Sequence, residues 1–212
     1  MADLFIYGDS YSNDWSSAKT YRTKRKEQGY YAREFEKENG REPTHFSDIL
    51  KQKLGTNKTF NFAGGGWCNY TIMEKICETV HMIQPNDYVF IQWSDISRYR
   101  IVNEGNWHIK YLMDDDSKQS VERVTDVTVR EIENWSHLLN KFLPKKTFFW
   151  TPFQRQPFYS IDYLLIYKHL GDSPLIKDET NGNIEDEHWG DKGHSAVGEI
   201  LYNAFINRNR LI

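Results

Sequence analysis

The chain has 212 residues and a net charge of −3, enough to bury a core in one domain and no basis for a nucleic-acid surface. No apolar run approaches membrane-spanning length, the chain opens directly into a strand-like segment, and its two cysteines, Cys68 and Cys77, have no metal-type spacing; a cytoplasmic protein with reduced thiols and no membrane partner is expected. Aromatics make up 15% of residues, including seven tryptophans, so some are expected to line a surface or cleft while most enter the core.

Leu4 to Tyr7 is a short apolar run of the kind that forms a central strand in a parallel sheet, and it stops at Gly8-Asp9-Ser10-Tyr11-Ser12. Ligands bind beyond the carboxyl ends of such strands, so Ser10 stands where chemistry is done. A nucleophilic serine needs a sharp strand-to-loop turn that leaves backbone N–H groups for an oxyanion, and Gly8 is expected to supply the backbone angles. Asn13 to Glu42 is too charged to be core and reads as an insertion above the sheet, helical between Tyr31 and Asn39. Ser47 to Leu54 predicts a short helix with a serine cap and a stop at Gly55.

Thr59 to Ala63 is a second strand, ended by Gly64-Gly65-Gly66, where the backbone either turns or approaches something closely. No phosphate-loop Lys-Ser/Thr follows, and the dinucleotide fingerprint is absent. Ile72, Met73, Ile76, Cys77, Val80 and Ile83 have helical period, which predicts Cys77 toward the core and His81 toward solvent. Tyr88 to Ile91 is a third strand, delivering Gln92-Trp93-Ser94-Asp95 to the edge that carries Ser10, with Arg98 close behind. Residues 99–118 read as a second insertion containing a hairpin, and Asp114-Asp115-Asp116 as a solvated loop, not a metal site.

A long helix is expected to bury Val121, Val124, Val127, Ile132, Trp135, Leu138, Leu139 and Phe142. Thr147 to Trp150 is a fourth strand; Tyr159 to Leu170 is expected to be helical and Leu175-Ile176 a short last strand. A closing helix carries Val197, Ile200, Leu201, Ala204 and Phe205 on one face. Strands alternating with helices predict one domain, 1–212, built as a three-layer α/β/α sandwich on a parallel sheet, with insertions at 13–43 and 99–118.

Before the last helix the chain reads Glu185-Asp186-Glu187-His188-Trp189-Gly190-Asp191-Lys192-Gly193-His194. A serine nucleophile needs a histidine base and an acid to orient it, and this loop supplies both. With this segment, the sequence resembles the SGNH (GDSL-type) hydrolase family over nearly its whole length. The family's Gly-Asp-Ser-x-Ser block is matched by Gly8 to Ser12. Its Asn-x-Gly-x-x-Gly block falls on Asn61, Ala63 and Gly66, which implies that Gly66 donates a backbone N–H to the oxyanion. The family's Gly-His follows the catalytic histidine by six residues, the spacing of His188 and His194.

Two positions depart from the family. Its third block, Gly-x-Asn-Asp, is replaced by Gln92-Trp93-Ser94-Asp95, so Ser94 aligns with the oxyanion-binding asparagine, and Asn69 is a possible substitute. The triad acid normally stands three residues before the histidine, at Glu185; Asp186, two before it, is preferred as an Asp-x-His form. A rival Asp191–His194 pair reads better as a helix cap and an inward-facing histidine.

The resemblance implies the flavodoxin-like SGNH hydrolase fold and a cofactor-independent serine esterase acting through an acyl-enzyme. Ser10, His188 and Asp186 would be catalytic, and Ser10, Gly66 and Ser94 would form the oxyanion hole. Trp67, Asn69, Trp93, Arg98 and Trp189, beside Tyr11, suggest a polar aromatic rim suited to acetyl esters on carbohydrate. The alternatives are a non-catalytic glycan- or partner-binding protein on the same fold, and an acyltransferase.

Overall fold

The computed structural model describes residues 1–10, 12–15, 28–103, 106–111, 118–152, 164–166 and 189–210. The chain begins with strand β1 (Leu4–Tyr7), followed by helices α1 (Gln28–Asn39) and α2 (Phe46–Leu54), strand β2 (Thr59–Asn61) and helix α3 (Asn69–Thr79), which tightens into a 3₁₀ turn at Val80–Met82. Strand β3 (Tyr88–Gln92), the hairpin β4 (Arg98–Asn103) and β5 (Asn106–Tyr111), helix α4 (Lys118–Phe142), strands β6 (Thr147–Thr151) and β7 (Leu164–Ile166), and helix α5 (Asp191–Arg210) complete it.

Five strands form one parallel sheet in the order β2-β1-β3-β6-β7, and β4 and β5 pair separately as an antiparallel ribbon. The registers Ile6↔Asn61, Tyr7↔Ile91 and Gln92↔Trp150 bring the carboxyl ends of β2, β1, β3 and β6 to one edge. Successive strand residues point to opposite faces, so each strand feeds two cores. Phe5, Tyr7, Val89, Ile91 and Phe149 pack with Ile72 and Ile76 of α3 and Ile132 and Leu139 of α4. Leu4, Ile6, Phe90, Phe148 and Trp150 pack with Phe46 and Leu50 of α2 and Val197, Leu201 and Phe205 of α5. Each such aliphatic or phenyl side chain contributes about 1.5–3 kcal/mol on burial. The result is a mixed α/β protein with helices on both faces of a parallel sheet, compatible with a three-layer sandwich. Among the described residues, no helix is long and apolar enough to cross a membrane.

Several local expectations need correction. Cys77 is exposed and Cys68 buried, because α3 gives way at Val80 to the 3₁₀ turn and its buried line is Ile72–Ile76–Thr79. His81 is exposed as expected. The cap of α2 is His45 rather than Ser47: its imidazole accepts from Ser47 N–H while Asp48 accepts from His45 N–H; Gly55 ends the helix in the left-handed region, φ 64°. Along the part of α4 whose side chains are described the buried line is Thr128, Ile132, Ser136 and Leu139, continuing at Leu143 just past the helix, which leaves Val127, Leu138 and Phe142 exposed; the Val121 and Val124 side chains lie outside the described residues. Part of the charged stretch after Ser12 does enter the interior, since Asn13, Trp15 and Ala32 are buried. Residues 164–166 form a strand on β6 where a helix was expected; Leu175-Ile176 lies outside the described residues.

Candidate active site

The site is built on the turn that ends β1. Gly8 is required there for space: a Cβ at Gly8 would lie 2.7 Å from Gln92 Oε1 and 2.8 Å from Ser12 Cβ. Its φ is not left-handed, so the backbone-angle role expected for it falls instead to Gly66, φ 74°. Ser12 N–H donates to Asp9 O (3.0 Å) and closes the turn, on which Ser10 is 8% exposed.

Asp9 is fully buried and holds the site together. Its carboxylate accepts from Gln92 Nε2 (2.6 Å), Ser94 Oγ (2.7 Å) and Arg98 Nη1 (3.0 Å). A buried carboxylate needs such partners, because desolvation without them costs several kcal/mol. Gln92 also accepts from Ser12 Oγ, so one side chain at the end of β3 ties both ends of the β1 turn. Asn69, at the start of α3, clasps the backbone of Ser94: its Oδ1 accepts from Ser94 N–H (2.6 Å) and its Nδ2 donates to Ser94 O (3.0 Å).

The loop after β2 forms the other wall. Asn61 Nδ2 donates to Ser12 O (2.8 Å), Asn61 Oδ1 accepts from Ala63 N–H (2.9 Å), and Gly64 N–H donates to Gly8 O (3.2 Å). The Trp67 ring lies against Gly64, where a Cβ would approach it to 2.1 Å. Among the described residues nothing accepts the Gly66 N–H.

Ser10, Gly66, Ser94, Asn69, Arg98 and Trp67 thus share the carboxyl edge of β1, β2 and β3. Ser94 Oγ is committed to Asp9, and Asn69 to the Ser94 backbone. Trp93 and Trp189 do not belong to a rim. Trp93 is fully buried, donates from Nε1 to Ser136 Oγ (2.9 Å), and stacks on Phe149 with centroids 6.4 Å apart. Trp189 is buried and stacks on Trp150 at 6.4 Å. Neither ring has a face to offer a sugar. Tyr11, Glu185, Asp186 and His188 lie outside the described residues.

His194 is fully buried among Trp15, His45, Phe46 and Trp189, with His45 4.6 Å away, centroid to centroid. Asp191 is the first residue of α5, and its carboxylate takes a bidentate pair from Arg41 (2.9 and 3.2 Å) and Thr44 N–H (2.6 Å). Burial pushes that carboxyl up, but these hydrogen bonds prevail and hold it below the usual range. Tyr31 Oη accepts from Asp191 N–H (2.9 Å), so the segment after the β1 turn is pinned to the start of α5.

Asp9 itself was not singled out by sequence reasoning, although a signal existed: Gln92 closes an apolar run, and a polar side chain at the end of a buried strand needs a partner. Also unforeseen is a cleft of about 390 Å³ between the N-terminus of α3, the foot of the hairpin and α4, lined by Asn69, Tyr70, Arg98 and Trp135 among others. It adjoins the Ser10 turn, because Arg98 bonds Asp9 and Asn69 bonds Ser94.

No protein-family model matches this chain, and no curated protein matches it either.

Proposed function

We propose that the protein is a serine esterase of the SGNH (GDSL-type) kind, cleaving small acetyl-type esters, with carbohydrate as one class of carrier. Ser10 Oγ attacks the ester carbonyl while His188 takes its proton, and Asp186 orients the imidazole. The carbonyl oxygen becomes an oxyanion held by the N–H groups of Ser10 and Gly66. Collapse expels the alcohol, protonated by His188, and leaves acetyl-Ser10; water, deprotonated by His188, then releases acetate. No cofactor enters the cycle. Because Ser94 Oγ is donated to Asp9, the oxyanion has two donors rather than three. A missing donor costs about a hundred- to a thousandfold, so turnover is expected to be slow on unactivated esters.

The observation that carries this reading is the position of the Ser10 turn. With the hairpin strands set aside, the sheet order reads 2-1-3-4-5, the order of flavodoxin-like sheets, in which ligands bind at the switch point between the first and third strands. Ser10 and Gly66 follow strands that end at that edge, their loops are joined by Gly64 N–H to Gly8 O, and the turn is braced by Asp9, Gln92 and Ser94. Two free cysteines fit a reducing, cytoplasmic setting. The burial of His194 among aromatic rings favours His188 as the base over the Asp191–His194 pair.

A fluorophosphonate probe is expected to label Ser10, and Ser10→Ala to abolish labelling. Hydrolysis of para-nitrophenyl acetate should disappear in Ser10→Ala and His188→Ala. Loss of activity in a folded His194→Ala protein with retention in His188→Ala would reverse the choice of base. The second reading, a binding protein on the same architecture, draws on the engagement of Ser94 by Asp9; it is preferred if no probe labels Ser10.

A further inference from the structure

The cleft beside the Ser10 turn has a composition unlike the turn itself. Tyr70 and Trp135 meet edge to face, 72° between planes and 6.0 Å between centroids, and Trp135 also packs against buried Trp93 at 6.1 Å. Tyr99, Val127, Thr128 and Glu131 also line the cleft. Both arginines of the lining already have carboxylates: Arg98 is held by buried Asp9 (3.0 Å), and Arg100 by Glu74. Glu131 is different. Among the described residues it has neither an ion-pair nor a hydrogen-bond partner, and partial desolvation pushes its carboxyl above the usual range. Among the described residues the cleft therefore presents aromatic rings together with one carboxylate that has no cationic partner. Tyr70 already carries a cation on its ring, the Arg100 guanidinium at 5.1 Å. Ring quadrupoles attract cations and not anions, and a carboxylate nearby adds to that preference.

We propose that this cleft is a binding site for a cationic group, an ammonium or quaternary ammonium, received between Trp135, Tyr70 and Glu131. A neutral polyol would gain stacking on the same rings but nothing from Glu131, and an anion would meet arginines already neutralised and a repelling carboxylate. On the esterase reading, on which this assignment rests, the site selects esters whose alcohol portion carries the positive charge, since the cleft adjoins Ser10 through Arg98 and Asn69. The cation site itself does not depend on catalysis.

The test separates the two. Choline and its neutral isostere 3,3-dimethylbutan-1-ol are titrated calorimetrically into the protein at low salt, where an exposed carboxylate is least screened. Choline should bind about tenfold more tightly than the isostere, the size expected for a partly desolvated cation–aromatic contact, and Glu131→Gln should remove most of that margin. Trp135→Leu, compared with wild type by circular dichroism, should weaken choline binding more than the isostere. Equal affinities, no choline binding, or a margin that survives Glu131→Gln would overturn the site. In parallel, acetylcholine and 3,3-dimethylbutyl acetate are compared as substrates. Choline binding without hydrolysis of either ester leaves the cation site standing and removes the esterase; hydrolysis of both with equal kcat/KM keeps the esterase and removes the cation preference.

Discussion

Gly8 and Gly66 serve one loop for unlike physical reasons, and substitution should expose the difference. Alanine at Gly8 would drive a methyl into Gln92 and Ser12, two side chains that brace the turn, with an expected cost of about 1–3 kcal/mol. At Gly66 nothing stands within 4 Å, so Gly66→Ala should cost only the left-handed backbone penalty, about 1–2 kcal/mol. Gly65→Ala, equally open and not left-handed, should stay within about 0.5 kcal/mol of wild type. Urea unfolding of the three variants checks the order. The turn after β1 and the glycine loop after β2 were legible because a glycine-polar turn after an apolar run is a local pattern. It hid Asp9, whose partners arrive more than eighty residues later, and it misassigned Trp93 and Trp189, since composition alone cannot tell a core indole from one lining a cleft.

Among elements, α2 and α5 approach closely at Gly198. A Cβ there would lie 2.6 Å from Ile49 Cβ and 2.9 Å from Phe46 O. Gly198→Ala should therefore lower the thermal midpoint, although alanine favours the helix by about 1 kcal/mol, because overpacking costs about 1–3. A midpoint that rises would show that the helices separate easily. Strand and helix identities were readable where the period was unbroken, as in β1, β3, β6 and α5. Caps and edges were less so: His45 caps α2 through an imidazole that propensity does not rank as a cap. Residues 164–166 become a strand by pairing with β6, a tertiary effect invisible in three apolar residues.

For the whole molecule, the buried imidazole of His45 links stability to pH. Ser47, Asp14, Trp15, Phe46 and His194 surround or act on it; burial depresses its pKa to about 4, against a pull upward from Asp14. In the unfolded chain it protonates near 6.5. Between those values the unfolded state binds the additional proton, so stability is complete above about pH 6.5 and declines as pH falls toward 4, by on the order of 3 kcal/mol. His45→Asn keeps a capping acceptor and should flatten this decline; urea midpoints from pH 7 to 4 in both proteins check it. An unchanged slope would assign the decline elsewhere.

The sheet order has a further consequence, for how the chain reaches this state. Asp9 is synthesised with the first strand, but Gln92, Ser94 and Arg98, which neutralise it, come off the ribosome some eighty to ninety residues later. Until they arrive, enclosing β1 would bury a bare carboxylate at a cost of several kcal/mol. A nascent chain ending before Gln92 should therefore hold its N-terminal segment at the surface, and commitment of β1 becomes a late, nearly single event triggered by the loop after β3.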